Sequence, residues 1–329
     1  MTETSQRATR TAGRMAPGGR GRVARRILTR LGTSLLVLWG AVTVSFVALH
    51  LTPGKIIDIL IGTSPVTPAV RAQIISDYGL DRPLLVQYVT YLGRVLRGDL
   101  GKSYQLHESV ASAVGSQLGS SLELTLTGLG LAVVVSVTVA LLTARRARWI
   151  RGLFSGIELI GISIPSFWAG ILLLTVFSFQ LGWFPAAGGE GLSGLVLPAI
   201  ALAIPVTTML TQVMREGLEL VLDEPFVLTA RSRGMSDLGV RLRHALRHAL
   251  LPAVTLTGWL VGLLLGSSVI IEQVFSRQGI GQLTLTAVNN KDLPVVMGVV
   301  LVIALLYVVV NMLIDLLYLL IDPRLRGAQ

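Results

Sequence analysis

A Gly101-Lys102-Ser103 triplet is the first group of residues in this sequence whose types suggest chemistry. The phosphate-binding loop of many nucleotide-binding proteins ends in the same residue types, because its backbone amides and lysine surround phosphate groups. That loop also needs a glycine five positions before Gly101, where this chain has Leu96, and no buried strand is predicted before it. The spacing therefore argues against nucleotide binding by this chain.

Four carboxylates lie in or beside long apolar stretches, where an ionisable group is costly and usually faces a cavity, a partner or an interface. They are Glu123, Glu158, Glu272 and Asp315. We interpret the first three as helix-end residues that reach water, whereas Asp315 is deeper because Leu-Leu-Tyr-Leu-Leu follows it. No Ser, His and Asp set and no carboxylate pair stands out as a catalytic group. The sequence thus predicts that the chain is not an enzyme.

The chain contains no cysteine and four histidines, which excludes disulfides, cysteine-based zinc sites and thiol nucleophiles. His244 and His248 are four residues apart on a predicted helix, but the neighbouring arginines oppose the binding of a metal cation. We therefore predict that this chain holds no metal and no cofactor of its own.

The composition indicates the solvent in which the chain folds. Its 329 residues are 52% hydrophobic and only 14% charged, with a formal net charge of +10, and the mean hydropathy is +0.70. A soluble globular protein of this length is far less apolar, so a lipid bilayer is the natural solvent. A nucleic-acid binder would carry its positive charge on a folded polar domain, whereas here arginines lie between apolar runs. We predict an all-α integral membrane protein that does not bind nucleic acid.

Six apolar stretches are each long enough to cross a bilayer, which takes about 20 helical residues. The first covers residues 27–51 and follows an arginine-rich tail at 1–26 that is predicted to be disordered. Arginines cluster before the first span and after the second, fourth and sixth, which places both termini, including the tail at 322–329, in the cytoplasm. The other five spans are predicted near Leu122–Ala144, Ile157–Leu181, Leu195–Met214, Ala253–Phe275 and Val295–Ile321.

An external segment at residues 52–120 separates the first two predicted spans. Within it, Asp81 and Pro83 favour the start of a helix whose apolar residues share one face. That face comprises Leu84, Leu85, Tyr88, Tyr91, Leu92, Val95 and Leu96. We expect the helix to lie along the membrane surface or against the bundle, with a binding role for its apolar face as the alternative.

Prolines and glycines inside the spans predict kinks and close helix packing. Prolines remove backbone hydrogen bonds and suit a pathway that opens and closes, although they also occur in ordinary bundles. The third and fourth spans contain Pro165, Pro198 and Pro205. Glycines that recur every four residues leave a smooth face for a neighbouring helix, with pore lining as the alternative role. In the fifth span these are Gly258, Gly262 and Gly266.

The cytoplasmic segment at residues 215–252 is the most informative part of the chain. Pro225 and the two acidic residues before it favour the start of a helix, and Gly234 can end that helix with a left-handed cap. Ser236 can begin a second helix that runs to Pro252. Its predicted apolar face comprises Leu238, Leu242, Ala245 and Ala249, and its predicted basic face comprises Arg241, His244 and His248. Contact with anionic lipid and docking of a protein partner both explain such a surface.

Motifs of a known family run through almost the whole chain after residue 26. The segment from Thr229 to Ser236, followed by Arg243 to Pro252, has the residues of a coupling loop. The other motifs are Tyr78-Gly-Leu-Asp-Arg-Pro83, Arg97-Gly-Asp-Leu-Gly101, Ser163-Ile-Pro-Ser-Phe-Trp168, Val274-Phe-Ser-Arg-Gln-Gly-Ile-Gly281 and Asp322-Pro-Arg-Leu-Arg326. In this order they resemble the inner-membrane permeases of peptide-type ABC importers, a branch that includes dipeptide, oligopeptide and nickel permeases.

The resemblance implies a multi-pass subunit of the bacterial plasma membrane with a type I importer permease fold, in which residues 121–321 form a five-helix transmembrane domain. It implies a second, homologous permease as partner, two cytoplasmic ATPases that hold ATP and Mg, and an external substrate-binding protein. Alternating access of the permease pair would then move small peptides inward. The residues implied to contact an ATPase are Thr229, Ala230, Arg231, Arg233, Gly234 and Ser236.

One departure from the broader importer pattern limits this inference. The broader loop motif has Glu-Ala-Ala six positions before its glycine, where this chain has Leu228, Thr229 and Ala230. Only the second alanine is kept, so no role of the glutamate is carried over. The substrate also stays open, because nickel or another small chelate fits the same motifs. An ion-coupled secondary transporter and a membrane-embedded enzyme are the alternatives from other functional classes.

Overall fold

The computed structural model describes residues 19–61, 66–189 and 191–321. The predictions for residues 1–18 and 322–329 lie outside these ranges. The helices are α1 (Gly19–Leu51), α2 (Ile56–Ile61), α3 (Pro68–Tyr78), α4 (Leu84–Leu96), α5 (Val110–Thr143), α6 (Arg148–Ser163), α7 (Ser166–Leu173), α8 (Gly191–Val221), α9 (Pro225–Ser232), α10 (Asp237–Val240), α11 (Leu246–Val274), α12 (Ile280–Asn289) and α13 (Leu293–Ile321). Two π-helical turns follow α7 and α10, at Leu174–Gln180 and Arg241–Ala245, and strands β1 (Lys102–Ser103) and β2 (Glu108–Ser109) form an antiparallel hairpin.

Five helical segments of the described residues are long and apolar enough to cross a membrane, and a bent pair of helices makes a sixth. The apolar part of α1 covers Leu28–Leu51, close to the predicted first span. Residues 19–26, predicted to belong to a disordered tail, are instead the first turns of α1. Arginine has a high helix propensity, so the helix extends beyond the apolar residues that cross the bilayer.

The prolines affect the third and fourth spans differently. The candidate for the third span is the pair formed by α6 and α7 with its π-helical turn, which is bent by 101° around Pro165. This agrees with the kink predicted at that proline. In contrast, α8 continues through Pro198 and Pro205, so these prolines do not divide the fourth span into two helices. Most of the residues beside these prolines are buried against neighbouring helices, and this packing keeps α8 continuous despite the lost hydrogen bonds.

Helix α8 lies at the centre of the bundle, where α5, α6, α7 and α11 pack against it. The contact with α5 is close, since a Cβ added at Gly128 would lie 3.3 Å from Leu202 Cβ. On the other side, a Cβ added at Gly217 of α8 would lie 3.1 Å from Ala249 Cα of α11. Small residues thus allow three long helices to pack backbone against backbone.

The external segment folds as α2, α3, α4 and the hairpin, and α5 begins at Val110, before the predicted start of the second span. Helix α4 begins at Leu84, as predicted from the preceding proline, and it lies against α1. Tyr88 Oη is 2.8 Å from Thr43 Oγ1, and the Tyr88 ring lies edge-on to Phe46. Only part of the predicted apolar face packs against other residues of the chain, because Leu84, Leu85 and Leu96 are exposed.

Candidate functional site: a cytoplasmic hairpin of two helices

Helices α9 and α10 form a hairpin at residues 225–240, which we call the cytoplasmic hairpin. Gly234 has φ +83°, a left-handed conformation that most residues avoid. Its N–H donates to the Arg231 carbonyl at 2.9 Å, and the Met235 N–H donates to the Ala230 carbonyl at 3.2 Å. This pair of bonds ends α9 in a Schellman motif. The left-handed cap predicted at Gly234 is therefore present.

The second helix begins where the sequence predicts but ends much later. Ser236 Oγ accepts a hydrogen bond from the Gly239 N–H at 3.2 Å and caps α10. The helix then continues through the π-helical turn into α11 and passes Pro252, so the predicted end at that proline is wrong. A proline in a helix interior is tolerated in a membrane bundle where neighbouring helices support the backbone.

The π-helical turn also divides the predicted apolar face. Ala245 and Ala249 are fully buried as expected, but Leu238 is 57% exposed and Leu242 is 48% exposed. A π-helical turn adds a residue to one turn and rotates the residues before it relative to those after it. Val240 and not Leu238 therefore points into the core. The exposed leucines give the hairpin and the π-helical turn after it an apolar surface that no described residue covers.

Arg241, predicted on a basic face with the histidines, is instead only 5% exposed. Its Nη1 donates to the Leu141 carbonyl at 2.6 Å, and its Nε lies 2.8 Å from Asp237 Oδ2. The other oxygen of Asp237 lies 2.7 Å from Arg231 Nη2. Arg241 thus positions the hairpin rather than binding a partner. The spacing of four residues between Asp237 and Arg241 is the feature of the sequence that could have predicted this ion pair.

The six predicted ATPase-contacting residues do not all share one surface. Arg231 pairs with Asp237 within the hairpin, and Ser236 acts as a helix cap. The remaining four line one open cavity of about 650 Å³. Other residues, which the sequence did not connect with these four, line the same cavity. The lining comprises Phe226, Thr229, Ala230, Arg233, Gly234, Met235, Arg243 and His244. All the ionisable groups of this lining are basic, so the cavity suits a partner that presents acidic or polar groups.

Glu158 and Arg215 form a buried ion pair between α6 and α8. Arg215 Nη1 and Nη2 lie 2.7 Å and 2.6 Å from the two carboxylate oxygens, and both side chains are less than 10% exposed. The interpretation of Glu158 as a residue that reaches water is therefore wrong. The pairing neutralises two charges that would otherwise be costly inside the bundle.

Glu272 is also buried, which contradicts its interpretation as a residue that reaches water. One oxygen accepts a hydrogen bond from Ser121 Oγ at 2.6 Å, and the other accepts one from the Gly281 N–H at 2.8 Å. The Ile280 N–H donates to Ser121 Oγ at 2.8 Å. Together these groups cap the N-terminus of α12 and join it to α5 and α11. Glu123 differs, since it is exposed and pairs with Arg277 at 2.6 Å.

The glycines of α11 differ in their surroundings. A Cβ added at Gly258 would lie 3.4 Å from Ile314 Cδ1, and one at Gly262 would lie 3.2 Å from the Tyr307 ring, so both face α13. Gly266 has no heavy atom within 4 Å of an added Cβ. Helix packing thus accounts for two of the three glycines. The side chain of Asp315 lies outside what the structure describes.

Comparison with known proteins gives consistent matches over most of the chain. The family described as "Binding-protein-dependent transport system inner membrane component" matches residues 132–327. A peptide permease protein of Brucella suis biovar 1 is 39% identical over 316 residues, covering 91% of this chain and 98% of the relative. A glutathione transport system permease protein of Salmonella paratyphi A is 35% identical over 309 residues, covering 92% and 98%.

A search of solved structures gives a more distant likeness. The crystal structure of an amino acid ABC transporter with histidines aligns with a TM-score of 0.45 and 18% identity, over 62% of this chain and 91% of that one. The family match covers more than half of this chain, and the relatives align over nearly their full length. The chain therefore belongs to the family of inner membrane components of binding-protein-dependent transport systems, as a multi-pass permease subunit of an ABC importer with the type I fold.

Proposed function

We propose that this chain is one of two homologous permease subunits of an ATP-driven importer that moves small peptides inward by alternating access. Two cytoplasmic ATPases that bind ATP and Mg drive the cycle, and an external binding protein delivers the peptide. The names of the relatives, which include peptide and glutathione permeases, support the substrate class.

The observation that carries the proposal is the cytoplasmic hairpin with its open cavity beside Gly234. A Cβ added at Gly234 would meet no heavy atom within 4 Å, so this bend faces open space. Leu228 and Leu238 on either side of the bend are 69% and 57% exposed. Exposed apolar residues beside a basic cavity are typical of a protein interface, which combines apolar contacts with polar and charged groups. An ATPase bound at this surface would contact the bend at Gly234 directly.

The substrate and energy source are tested together with the complete transporter in sealed vesicles. Radiolabelled di- and tripeptides are supplied with the binding protein, and ATP is enclosed on the ATPase side. We expect accumulation that requires both the binding protein and hydrolysable ATP. Accumulation driven by an ion gradient in the absence of the ATPases would instead identify an ion-coupled transporter, and transport of nickel without any peptide would contradict the substrate class.

The docking surface is tested by Gly234→Trp. The bulky indole projects into the open space that the ATPase would occupy, so we expect transport per ATP hydrolysed to fall by about fivefold or more. Gly98→Trp is the matched control, because Gly98 on the external side also has a positive φ of +77° and open space around it. Both variants impose the same backbone strain, but only the first blocks docking. Gly234→Asn, which tolerates a positive φ with a small side chain, should keep most coupling.

A further inference from the structure

We propose that residues 141–151, which comprise the end of α5, the turn after it and the start of α6, move with the cytoplasmic hairpin as one unit and transmit hairpin movement to the bent span α6–α7. We call this segment the corner. The proposal rests on the proposed function, since it takes the hairpin to be the part that an ATPase moves. It gives Arg145 and Arg241 positioning roles, in which they act through the hairpin.

The corner holds the residues just before the hairpin. Arg145 Nη1 donates to the Leu222 carbonyl at 3.2 Å, and its guanidinium pairs with Asp223, two residues before α9 begins. Arg151, at the other end of the corner, lies 3.3 Å from Glu219. These contacts attach both the last turn of α8 and the turn that follows it to the corner.

The corner also holds the end of the hairpin, through the buried Arg241. Its hydrogen bond to the Leu141 carbonyl reaches the last turn of α5, and its contact with Asp237 reaches the start of α10. Leu141 and the buried Val227 and Val240 belong to one continuous apolar core. The residues that flank the hairpin on both sides are thus attached to the corner.

The backbone of the corner has an unusual conformation. Arg145 has φ +53°, in the left-handed region that side chains other than glycine rarely adopt. Such a conformation persists where surrounding contacts hold it. The bonds of Arg145 to Leu222 and Asp223 are contacts of this kind. The left-handed residue of the corner is thus also the residue that attaches it to the segment before the hairpin.

Charged residues on α8 and in the turn after it extend the connection into the membrane. Arg215 and Glu219 are spaced by four residues and share one face of α8, and Asp223 lies in the turn that follows the helix. Their partners on the corner and α6 are Arg145, Arg151 and Glu158, and burial increases toward Glu158. Glu158 lies seven positions before Pro165, where the span bends. A shift of the hairpin therefore carries α6 with it and changes the position of the bend.

A reversible cross-link tests this unit. The chain has no cysteine, so Arg145→Cys with Asp223→Cys gives it two thiols, which a short bis-methanethiosulfonate reagent can join and a reductant can release. The complete transporter carrying this double variant is reconstituted in vesicles. In the reduced form the ion pair is lost, and we expect transport per ATP to fall by about fivefold or more. Joining the thiols should restore it, because the two parts need not separate.

Other outcomes overturn the proposal. A further loss on cross-linking would mean that corner and hairpin must separate, and an absence of recovery would mean that their attachment does not limit coupling. Wild-type coupling in both forms would show that the contact is irrelevant. A folding defect is distinguished because both forms come from one preparation. Arg145→Cys alone with the reagent controls for modification of partner subunits.

Arg148→Gln is a matched control on the corner itself. Arg148 is exposed, and no described residue forms an ion pair with it, so this variant should couple normally. The outcome for Gly234→Trp separates this inference from the proposed function. Normal coupling in that variant contradicts docking of the hairpin, whereas loss of coupling there with no effect of the Arg145 and Asp223 cysteines contradicts the corner alone.

Discussion

Two buried glutamates at opposite ends of the bundle are stabilised in different ways. Glu158, near the cytoplasmic side, is paired with the guanidinium of Arg215. Glu272, near the external side, has no cation within bonding distance among the described residues, and it accepts bonds from Ser121 and from backbone N–H groups of α12. One site depends on two long side chains and the other on the position of a backbone.

The difference indicates which end of the bundle is adaptable. An ion pair between side chains tolerates small shifts of its helices, because both side chains can follow. The Glu272 site does not, since a Cβ added at Gly279 would lie 2.3 Å from Glu272 Oε2 and one at Gly281 would lie 2.4 Å from Val269 Cα. The external site is thus a rigid junction, whereas the ion pair joins α8 to α6, the helix that we propose to move with the hairpin.

The largest expected effect is that of Glu158→Gln. The variant leaves Arg215 charged and unpaired in the bundle, and breaking a buried ion pair in this way costs about 3–5 kcal/mol of unfolding free energy. The measurement is reversible unfolding of the permease in mixed micelles with increasing dodecyl sulfate.

The matched control is Glu158→Gln combined with Arg215→Gln. Because no charge then remains in the bundle, most of the stability should return. A double variant as unstable as the single one would show that the pair is not the cause.

A smaller effect is expected for Glu272→Gln. The amide keeps one acceptor oxygen, so the bonds to Ser121 and to the α12 backbone cannot all be kept. Loss of a hydrogen bond to a charged group costs about 1.5–3 kcal/mol. Glu123→Gln at the same end serves as the control, since Glu123 is exposed and should have little effect on stability. If Glu272→Gln were as harmless as its control, the junction would not depend on the carboxylate.

The comparison also shows what the sequence could predict. The cap at Gly234 and the helix start at Ser236 follow from local chemistry, because the bonding partners lie within a few residues. The partners of the two glutamates do not, since Glu158 bonds to a residue 57 positions away and Glu272 to one 151 positions away. Such pairs depend on how the helices pack. The exposure of Leu238 depends in turn on a π-helical turn that hydrophobic spacing does not indicate.

The glycines of α11, the helix that extends from the hairpin to the external junction, give a third test. Gly262→Leu places a branched side chain against the Tyr307 ring, and overpacking of this kind costs about 1–3 kcal/mol. Gly266→Leu is the control, because its side chain enters open space and leucine favours helix formation. Unfolding in the same micelles should separate the two variants. Equal stabilities would contradict close packing of α13 at Gly262.

The smallest effect concerns Asp99, an external carboxylate that, unlike the two glutamates, remains half exposed. The hydrogen bond from Arg94 Nε at 2.8 Å lowers the pKa of Asp99 below its usual 3.8, although partial burial opposes this. A pKa that is lower in the folded chain stabilises the fold above the unfolded value, and this contribution is lost as the pH falls through the folded value. Asp99→Asn should therefore lower stability by a small constant amount from neutral pH to about pH 5, since exposed pairs contribute about 0–1 kcal/mol.

The expected pH dependence of this difference distinguishes the ion pair from a neutral hydrogen bond. Below the usual carboxyl pKa the wild-type side chain also becomes protonated, so the stabilities of the wild type and the Asp99→Asn variant should converge. Thermal unfolding of both proteins between pH 3 and 8 measures this convergence. It should take place over about one pH unit, as the titration of a single group does. A difference that stayed constant down to the lowest pH would mean that the charge of Asp99 does not account for it, since asparagine keeps a side-chain oxygen that can accept the Gly101 N–H.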